Sequence, residues 1–169
     1  MEEKIKLNIA VLTISDSRTK KTDKSGNLLT ELISNSNHNI ADHQLVKDNI
    51  YSIRKIISSW IDDKSINVII STGGTGVTGR DGTPEAIEVL FDKKIDGFGE
   101  IFRYISYKKI KTSTIQSRAT AGVANSTFIF CLPGSPSACK DAWNEIIRYQ
   151  LDSSNKPCNL VELMPRLKD

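Results

Sequence analysis

The sequence has 169 residues, a length typical of one domain. Its net charge of +3, from 23 Lys and Arg against 20 Asp and Glu, excludes a strongly basic nucleic-acid-binding protein. Apolar runs of a few residues fall far short of the roughly 18 that a membrane span needs, and the acidic start Met1-Glu2-Glu3-Lys4 is unlike a secretory signal. We therefore expect a single domain over residues 1–169, cytoplasmic, with neither nucleic acid nor membrane as a partner.

Strand and helix signals alternate along the chain. Continuous apolar runs predict buried strands, and a weaker pattern predicts one more; they cover 9–14, 42–46, 67–72 and 127–132. Apolar residues at helical spacing predict helices over 26–35, 50–61, from about Pro84, around 101–105, and over 137–149. This alternation predicts an α/β fold, a doubly wound and mostly parallel sheet with helices on both faces. From Asp152 onward the periodicity is lost, so we expect 152–169 to form an extended C-terminal tail packed on this subunit or a neighbour.

The loop after the strand at 67–72 is rich in glycine. In doubly wound folds ligands bind outside the carboxyl ends of the strands, so this loop is a candidate site. Four glycines fall within seven residues, and they let backbone N–H groups approach an anion: Gly73, Gly74, Gly76 and Gly79. Gly74 and Gly79 have the outer spacing of a P-loop, but Arg80-Asp81 stands where Lys-Ser/Thr is required, which excludes that motif.

The same loop also fits the dinucleotide-binding fingerprint through Gly74, Gly76 and Gly79. The match is weak, because Pro84 delays the helix that should open directly from the loop. A nicotinamide-dependent oxidoreductase is therefore the least favoured alternative. Asp81 would repel a bare pyrophosphate, whereas it would help if it held Mg²⁺ against phosphate oxygens. Glycines and Asp81 together indicate a metal–nucleotide site.

Polar residues precede three predicted helices. Thr83 suits an N-cap, with Pro84 at the first helical position and Glu85 in the first turn; helix initiation alone explains all three. Ser135, before Pro136, is a second expected N-cap, where free amides and Gly134 also favour an anion. Asp48 is either the N-cap of the helix at 50–61 or a carboxylate that lies beside Asp81 and shares a metal or a substrate amine with it; the sequence leaves this open.

The loop after the first strand is basic. It contains Ser15 and Asp16, followed by four basic residues, and we expect a helix to start at Ser25-Gly26. Together with Arg80, these four are expected to place five basic side chains around the ligand loops: Arg18, Lys20, Lys21, Lys24 and Arg80. A solvated basic loop explains the first four equally well. The three cysteines, Cys131, Cys139 and Cys158, have neither metal-ligand nor disulfide spacing, and two of them are expected in the core. The two histidines, His38 and His43, are expected to be surface residues.

Taken together, these segments resemble the molybdopterin-binding family of molybdenum cofactor biosynthesis proteins, from about Ile9 to the C-terminus. The motifs that carry the resemblance are Ser15-Asp16-Ser17, Asp23-Lys24-Ser25-Gly26, Thr72-Gly73-Gly74-Thr75-Gly76, Arg80-Asp81, Thr83-Pro84-Glu85-Ala86, Ser117-Arg118 and Leu132-Pro133-Gly134-Ser135. Residues 112–119 and the tail around Lys156-Pro157-Cys158-Asn159 resemble the B-protein branch more closely than the adenylyltransferase (MogA-type) branch, which tends to have a larger residue at Gly82.

The resemblance implies a MogA-like subunit that assembles into trimers, sometimes paired as hexamers, and other molybdenum cofactor proteins as further partners. It implies molybdopterin as ligand and, in the active branch, Mg²⁺-dependent transfer of AMP from ATP to its terminal phosphate. Carried over, the catalytic acids that would hold Mg²⁺ are Asp48 and Asp81. The expected substrate-binding residues are Ser15, Asp16, Ser25, Gly26, Thr72, Gly73, Gly74, Thr75, Gly76, Arg80, Pro84, Glu85, Ser117, Arg118, Gly134 and Ser135. The alternative is a protein of the same pathway that binds molybdopterin or a nucleotide without catalysis.

Overall fold

Six strands form one sheet within residues 4–168, which are the residues that the computed structural model describes. They are β1 (Asn8–Ile14), β2 (Asn39–Val46), β3 (Val68–Thr72), β4 (Lys93–Lys94), β5 (Thr120–Ala124) and β6 (Thr127–Leu132). Their order across the sheet is β2-β1-β3-β6-β5-β4. The first four of these are parallel neighbours, whereas β5 and β4 pair antiparallel at the other edge. The predicted mostly parallel sheet is therefore confirmed.

Helices cover both faces of the sheet. The α-helices are α1 (Lys24–Asn35), α2 (Ile50–Asp62), α3 (Thr83–Ile87), α4 (Asp96–Ile110), α5 (Pro136–Ala142) and α6 (Arg148–Gln150). Short 3₁₀ helices cover Glu88–Leu90, Lys111–Gln116 and Val161–Arg166, and a π-helical turn at Trp143–Ile147 joins α5 to α6. Helices α1, α4 and α5 contribute to one apolar cluster, and α2 and α3 to the other. In the part of the chain that the structure describes, no helix has the length and apolarity to cross a membrane.

The central strands are buried on both faces, which is why they appear in the sequence as continuous apolar runs. Along β1, Ile9 and Val11 point into the cluster beneath α1, while Ala10 and Leu12 point into the cluster beneath α2. Successive side chains of a strand face opposite sides, so each such strand supplies both cores. Because β1, β3 and β6 run parallel, their carboxyl ends lie side by side, and the loops that follow these strands come together there.

Strand β5 was not among the strands that the sequence predicted. Its residues are small, and its burial arises from contacts made by other segments. At Gly122 a Cβ would lie 2.4 Å from the ring of Phe91. Strand propensity depends on such packing, so a short segment rich in Ala and Gly gives no clear signal.

The C-terminal segment from Asp152 is not the extended tail that the sequence predicted. It forms turns and the 3₁₀ helix Val161–Arg166, whose Val161 is buried in the core beside Met164. Residue 169 and residues 1–3, which include the acidic start of the chain, lie outside the described residues. Cys131 and Cys139 are buried, as expected of core thiols, and Cys158 is exposed.

Candidate functional site

A cleft of about 530 Å³ opens at the carboxyl ends of β1, β3 and β6. Its floor and walls include many of the predicted ligand residues: Ser15, Ser25, Thr72, Gly73, Gly74, Thr75, Gly76, Asp81, Ser117, Gly134 and Ser135. We call it the glycine-loop cleft, after the glycine loop, residues 73–82. The cleft is thus lined by four segments that are far apart in sequence. Three of them follow β1, β3 and β6, and the fourth precedes β5, which is the arrangement expected at the carboxyl ends of parallel strands.

The start of the glycine loop needs glycine for two separate reasons. Gly73 and Gly74 have φ values of +107° and +65°, in the left-handed region that L side chains rarely adopt. A Cβ would also lie 2.1 Å from Ile14 O at Gly73, and 2.3 Å from Thr83 Oγ1 at Gly74. Thr83 is not an N-cap as predicted; that position is Gly82, and Thr83 Oγ1 instead donates a 2.8 Å hydrogen bond to Gly73 O. The helix after the loop therefore holds the turn that begins the loop.

Hydroxyl groups hold the facing loop between β6 and α5. Thr72 Oγ1 donates to Pro133 O over 2.8 Å, and Ser25 Oγ donates to Gly134 O over 2.7 Å. Ser135 is the N-cap of α5, as predicted, because its Oγ accepts a 3.2 Å hydrogen bond from Ala138 N. These contacts fix the far wall of the cleft against the glycine loop.

Both predicted acids lie against glycines of the loop, and Asp81 is itself a loop residue. A Cβ at Gly74 would lie 2.8 Å from Asp48 Oδ2, and one at Gly76 would lie 2.7 Å from Asp81 Oδ2. Asp48 is not a cap, because Asn49 caps α2; its Oδ1 accepts instead from the N–H of Gly82 over 3.3 Å. The structure thus excludes the N-cap interpretation of Asp48 and places its carboxylate against the glycine loop.

The protein shifts the pKa values of these acids in opposite directions. Burial raises the pKa of Asp48, and the negative charges of Asp16 and Asp81 raise it further. Hydrogen bonds from the hydroxyl and N–H of Thr78, at 2.6 and 2.8 Å, lower the pKa of Asp81. Across residues 4–168, no three His, Cys, Asp or Glu side chains form a metal-binding cluster. The loop instead has a pair of carboxylates, Asp48 and Asp81, each with a basic side chain nearby that lowers its pKa.

Arg80 turns toward the first loop and away from the cleft wall. Its Nε and Nη2 donate to Asp16 Oδ2 over 3.0 and 2.5 Å, and Asp16 Oδ1 accepts from Asp48 N over 3.2 Å. Of the five expected cations, Arg18 lines the cleft and Arg80 is ion-paired at its margin. The three lysines, Lys20, Lys21 and Lys24, are not among the described residues that line the cleft, so Arg18 is the one of the five expected cations that lines it.

Arg118 and Glu85 lie behind the glycine loop and do not line the cleft. Arg118 Nε donates to Gly76 O over 2.6 Å, Arg118 Nη2 donates to Asp81 O over 2.7 Å, and the guanidinium forms a forked ion pair with Glu85. This ion pair lowers the pKa of Glu85. Both residues, with Pro84, line a neighbouring cavity of about 630 Å³, which shares Ser117 with the cleft. In this arrangement Arg118 braces the loop from Gly76 to Asp81.

A polar cluster at the cleft, around the buried Asp23, was not predicted from the sequence. Asp23, which is 2% exposed, is the N-cap of α1; the helix begins at Lys24, one residue before the predicted start at Ser25-Gly26. His43 Nε2 lies 3.2 Å from Asp23 Oδ2 and its side chain is 25% exposed, so His43 is partly buried and paired where a solvated surface residue was expected. His38 is half-buried, and its Nδ1 accepts a 3.2 Å hydrogen bond from Leu7 N. The position of Asp23 three residues before Gly26 was the signal available for the cap; nothing local marked either histidine.

This fold is that of a known class of protein. A family model described as "Probable molybdopterin binding domain" matches residues 10–153. The chain therefore belongs to the molybdopterin-binding family of molybdenum cofactor biosynthesis proteins, as its motifs predicted.

Within this family, the chain is similar to B proteins. It is 48% identical to Molybdenum cofactor biosynthesis protein B of Escherichia coli (strain K12) over 157 residues, 93% of this chain and 92% of that protein. A crystal structure of a Molybdenum cofactor biosynthesis protein B superimposes with a TM-score of 0.84 at 40% identity, covering 87% of this chain and 92% of that one. The tungsten cofactor synthesizing protein MoaB from Pyrococcus furiosus superimposes with a TM-score of 0.81 at 31% identity, covering 97% and 98%. The predicted closer resemblance to the B branch is confirmed.

Proposed function

We propose that this chain binds molybdopterin in the glycine-loop cleft and transfers AMP from Mg-ATP to the terminal phosphate of molybdopterin. Its relatives are named for molybdenum cofactor biosynthesis, and the family model is named for molybdopterin binding. The observation that carries the catalytic part is the approach of two carboxylates, Asp48 and Asp81, to one glycine-rich loop. The family resemblance supplies the reaction, and the geometry supplies residues suited to it.

Transfer of AMP to a phosphate group requires the protein to align the two substrates rather than to supply a nucleophile. An oxygen of the molybdopterin phosphate attacks the α-phosphorus of ATP, the bond from that phosphorus to the bridging oxygen breaks, and pyrophosphate leaves. All reacting groups are anionic, so they must be held together and their charge neutralised. The left-handed backbone at Gly73 and Gly74 is suited to placing N–H groups against phosphate oxygens. Thr83 donates to the carbonyl of Gly73, and Arg118 donates to the carbonyls of Gly76 and Asp81, so both side chains hold the loop backbone in place.

The residues present fit a magnesium ion. Mg²⁺ is usually held by one or two carboxylates and completed by substrate phosphates and water, and Asp48 and Asp81 supply two hard oxygen donors. The raised pKa of Asp48 reflects burial and negative neighbours, which a divalent cation would offset. The ion, when bound, would neutralise phosphate charge. Asp48 and Asp81 would then orient that charge with respect to the cleft.

Pyrophosphate release tests this proposal. The purified full-length chain is incubated with molybdopterin and Mg-ATP, and pyrophosphate and adenylylated molybdopterin are measured. We expect Asp81→Asn and Asp48→Asn to lower turnover by about a hundredfold or more, because a transition-state charge contact is worth a few kcal/mol. Asp62→Asn, at the exposed end of α2, is the matched control and should leave turnover unchanged. A wild-type protein that binds both ligands and releases no pyrophosphate would refute the catalytic part.

A binding function without turnover is the second candidate. Asp81 Oδ2 already accepts two hydrogen bonds from Thr78, which leaves this oxygen less free for a metal. The named relatives are also B proteins rather than adenylyltransferases. Under this alternative, calorimetry shows molybdopterin binding that neither Mg²⁺ nor Asp81→Asn alters. Removal of Mg²⁺ with a chelator separates the two candidate functions. Under the first, pyrophosphate release stops; under the second, there is no pyrophosphate release to lose and molybdopterin binding is unchanged.

Self-association belongs to the same proposal. We propose that the chain forms trimers or paired trimers, as the family resemblance implies, and that it works with other molybdenum cofactor proteins. Analytical ultracentrifugation decides this directly, since the mass of the chain is 18.8 kDa and the two assemblies are three and six times that mass. A monomer at all concentrations would refute it.

A further inference from the structure

The buried carboxylate of Asp23 links two elements at the wall of the glycine-loop cleft. Asp23 is 2% exposed, and both it and Thr13 line the cleft. Its Oδ1 accepts a 2.8 Å hydrogen bond from Gly26 N, and its Oδ2 accepts a 2.6 Å hydrogen bond from Thr13 Oγ1. Asp23 therefore fastens the first turn of α1 to the end of β1.

His43 adds a third element, the edge strand β2. Its Nε2 lies 3.2 Å from the same Asp23 Oδ2, and its side chain is 25% exposed. A carboxylate only accepts hydrogen bonds, so the imidazole donates through Nε2. Buried carboxylates are costly unless they are hydrogen-bonded or paired, and this contact supplies a further hydrogen bond to Asp23.

The first turn of α1 lies directly on this cluster and reaches the other wall of the cleft. A Cβ at Gly26 would lie 2.2 Å from Asp23 Oδ2, 2.3 Å from Thr13 Oγ1 and 2.6 Å from His43 Nε2, so only glycine lets the turn pack there. The preceding residue, Ser25, donates to Gly134 O over 2.7 Å. A shift of this turn would therefore move the loop between β6 and α5 as well.

We propose that His43 is a positioning residue of the glycine-loop cleft, acting through Asp23 to hold the first turn of α1. Its second effect is electrostatic: the donor at Nε2 offsets the carboxylate of Asp23, which would otherwise repel an anionic ligand in the cleft. The inference rests on the proposed function for the identity of that ligand, molybdopterin. The position of the turn itself is independent of any ligand.

Two substitutions of His43 separate positioning from simple packing. His43→Leu removes the donor, whereas the side-chain amide of His43→Gln places an N–H near the former Nε2. The matched control is His38→Leu, which removes a histidine hydrogen bond to Leu7 N at a cavity that shares no residue with the cleft. Each variant is measured for molybdopterin binding without ATP, for KM and kcat of pyrophosphate release, and for amide hydrogen exchange at Gly26.

We expect His43→Leu to weaken molybdopterin binding, and to raise its KM, by about tenfold, the loss typical of one hydrogen bond to a charged group. kcat should change by less than about twofold, because the reacting phosphates are held by the glycine loop. Exchange at Gly26 should accelerate by about tenfold or more in His43→Leu, as local opening becomes easier. His43→Gln should recover binding and Gly26 protection to within about threefold of the wild type, and His38→Leu should match the wild type in both.

The inference is overturned if His43→Leu retains wild-type Gly26 exchange, or if His43→Gln is no better than His43→Leu in a folded protein. Its failure is distinct from failure of the proposed function. If the wild type binds molybdopterin and releases no pyrophosphate, adenylyl transfer is refuted while the binding constants still test His43. If the wild type does not bind molybdopterin, Gly26 exchange alone decides the positioning role.

Discussion

Replacement of Arg118 should loosen the glycine loop without touching the cleft surface. The side chain is about one-third exposed, at 33%, and spans three partners: the carbonyl groups of Gly76 and Asp81 and the carboxylate of Glu85. Arg118→Ala leaves two loop carbonyls and one carboxylate without this donor. Each lost bond is worth about 1 kcal/mol net, and partial exposure lets water replace some of them, so we expect destabilisation by about 2–3 kcal/mol.

Arg118→Lys is the sharper test, because it keeps the charge. A single ammonium group cannot reproduce the fork that contacts the loop and Glu85 together, so Arg118→Lys should lose more than half of the stability lost by Arg118→Ala. Glu85→Gln, which keeps both loop carbonyls bonded, should cost less than about 1 kcal/mol, since the Glu85 side chain is 50% exposed.

Urea denaturation at neutral pH measures these differences, and calorimetry should show a melting temperature about 5–10 °C lower for Arg118→Ala. Molybdopterin binding should weaken in parallel, because the loop carries the proposed site. If Arg118→Lys unfolds like the wild type, the fork is not what braces the loop. If Arg118→Ala is destabilised but binds molybdopterin normally, the brace supports the fold alone.

Three further outcomes follow from the same structure. Gly74→Ala should cost more than about 2 kcal/mol in urea denaturation, because its φ is +65° and a Cβ would lie 2.3 Å from a threonine hydroxyl; Gly79→Ala, with open space around the Cβ, should be near neutral. In the native protein at pH 8, a thiol reagent should modify one cysteine, Cys158, since burial raises the pKa of the other two thiols to about 11 and about 12; a second rapid equivalent would contradict this. Arg80→Ala should raise the pKa of Asp48 further, because it removes a positive charge that lowers this pKa; a carboxyl NMR titration showing a lower value would contradict the electrostatic account.

The central strands and the order of motifs were accessible from the sequence because they depend on local pattern. Strands β1, β3 and β6 are buried on both faces, so their apolar runs are continuous and their bounds are nearly those predicted. The cap at Ser135 was found for a similar reason, since a cap and its helix are adjacent in sequence. At Thr83 the local pattern fits more than one role, and the predicted role, the N-cap, is wrong.

The partners of the site residues were not accessible in this way. Arg80 pairs with Asp16 across 64 residues, and Arg118 pairs with Glu85 across 33. His43 and Asp23 are 20 residues apart on different elements, and each alone resembles an ordinary polar residue. Which charged side chains meet depends on the order β2-β1-β3-β6 and on the loops that this order brings to one edge.

From the alternation of strand and helix patterns and the order of its motifs, the sequence by itself determined a doubly wound α/β fold and membership of a molybdopterin-binding family. It also marked the glycine loop with its Asp81, because four glycines within seven residues form a distinctive local pattern, and Asp48, because it follows a predicted strand. Only the tertiary structure decided that Asp48 accepts a hydrogen bond from the loop rather than capping a helix, that Arg118, paired with Glu85, contacts the loop carbonyls, and that His43 lies against the buried Asp23 at the cleft. Those roles arise from contacts between distant segments, and such contacts exist only once the sheet has brought the segments together.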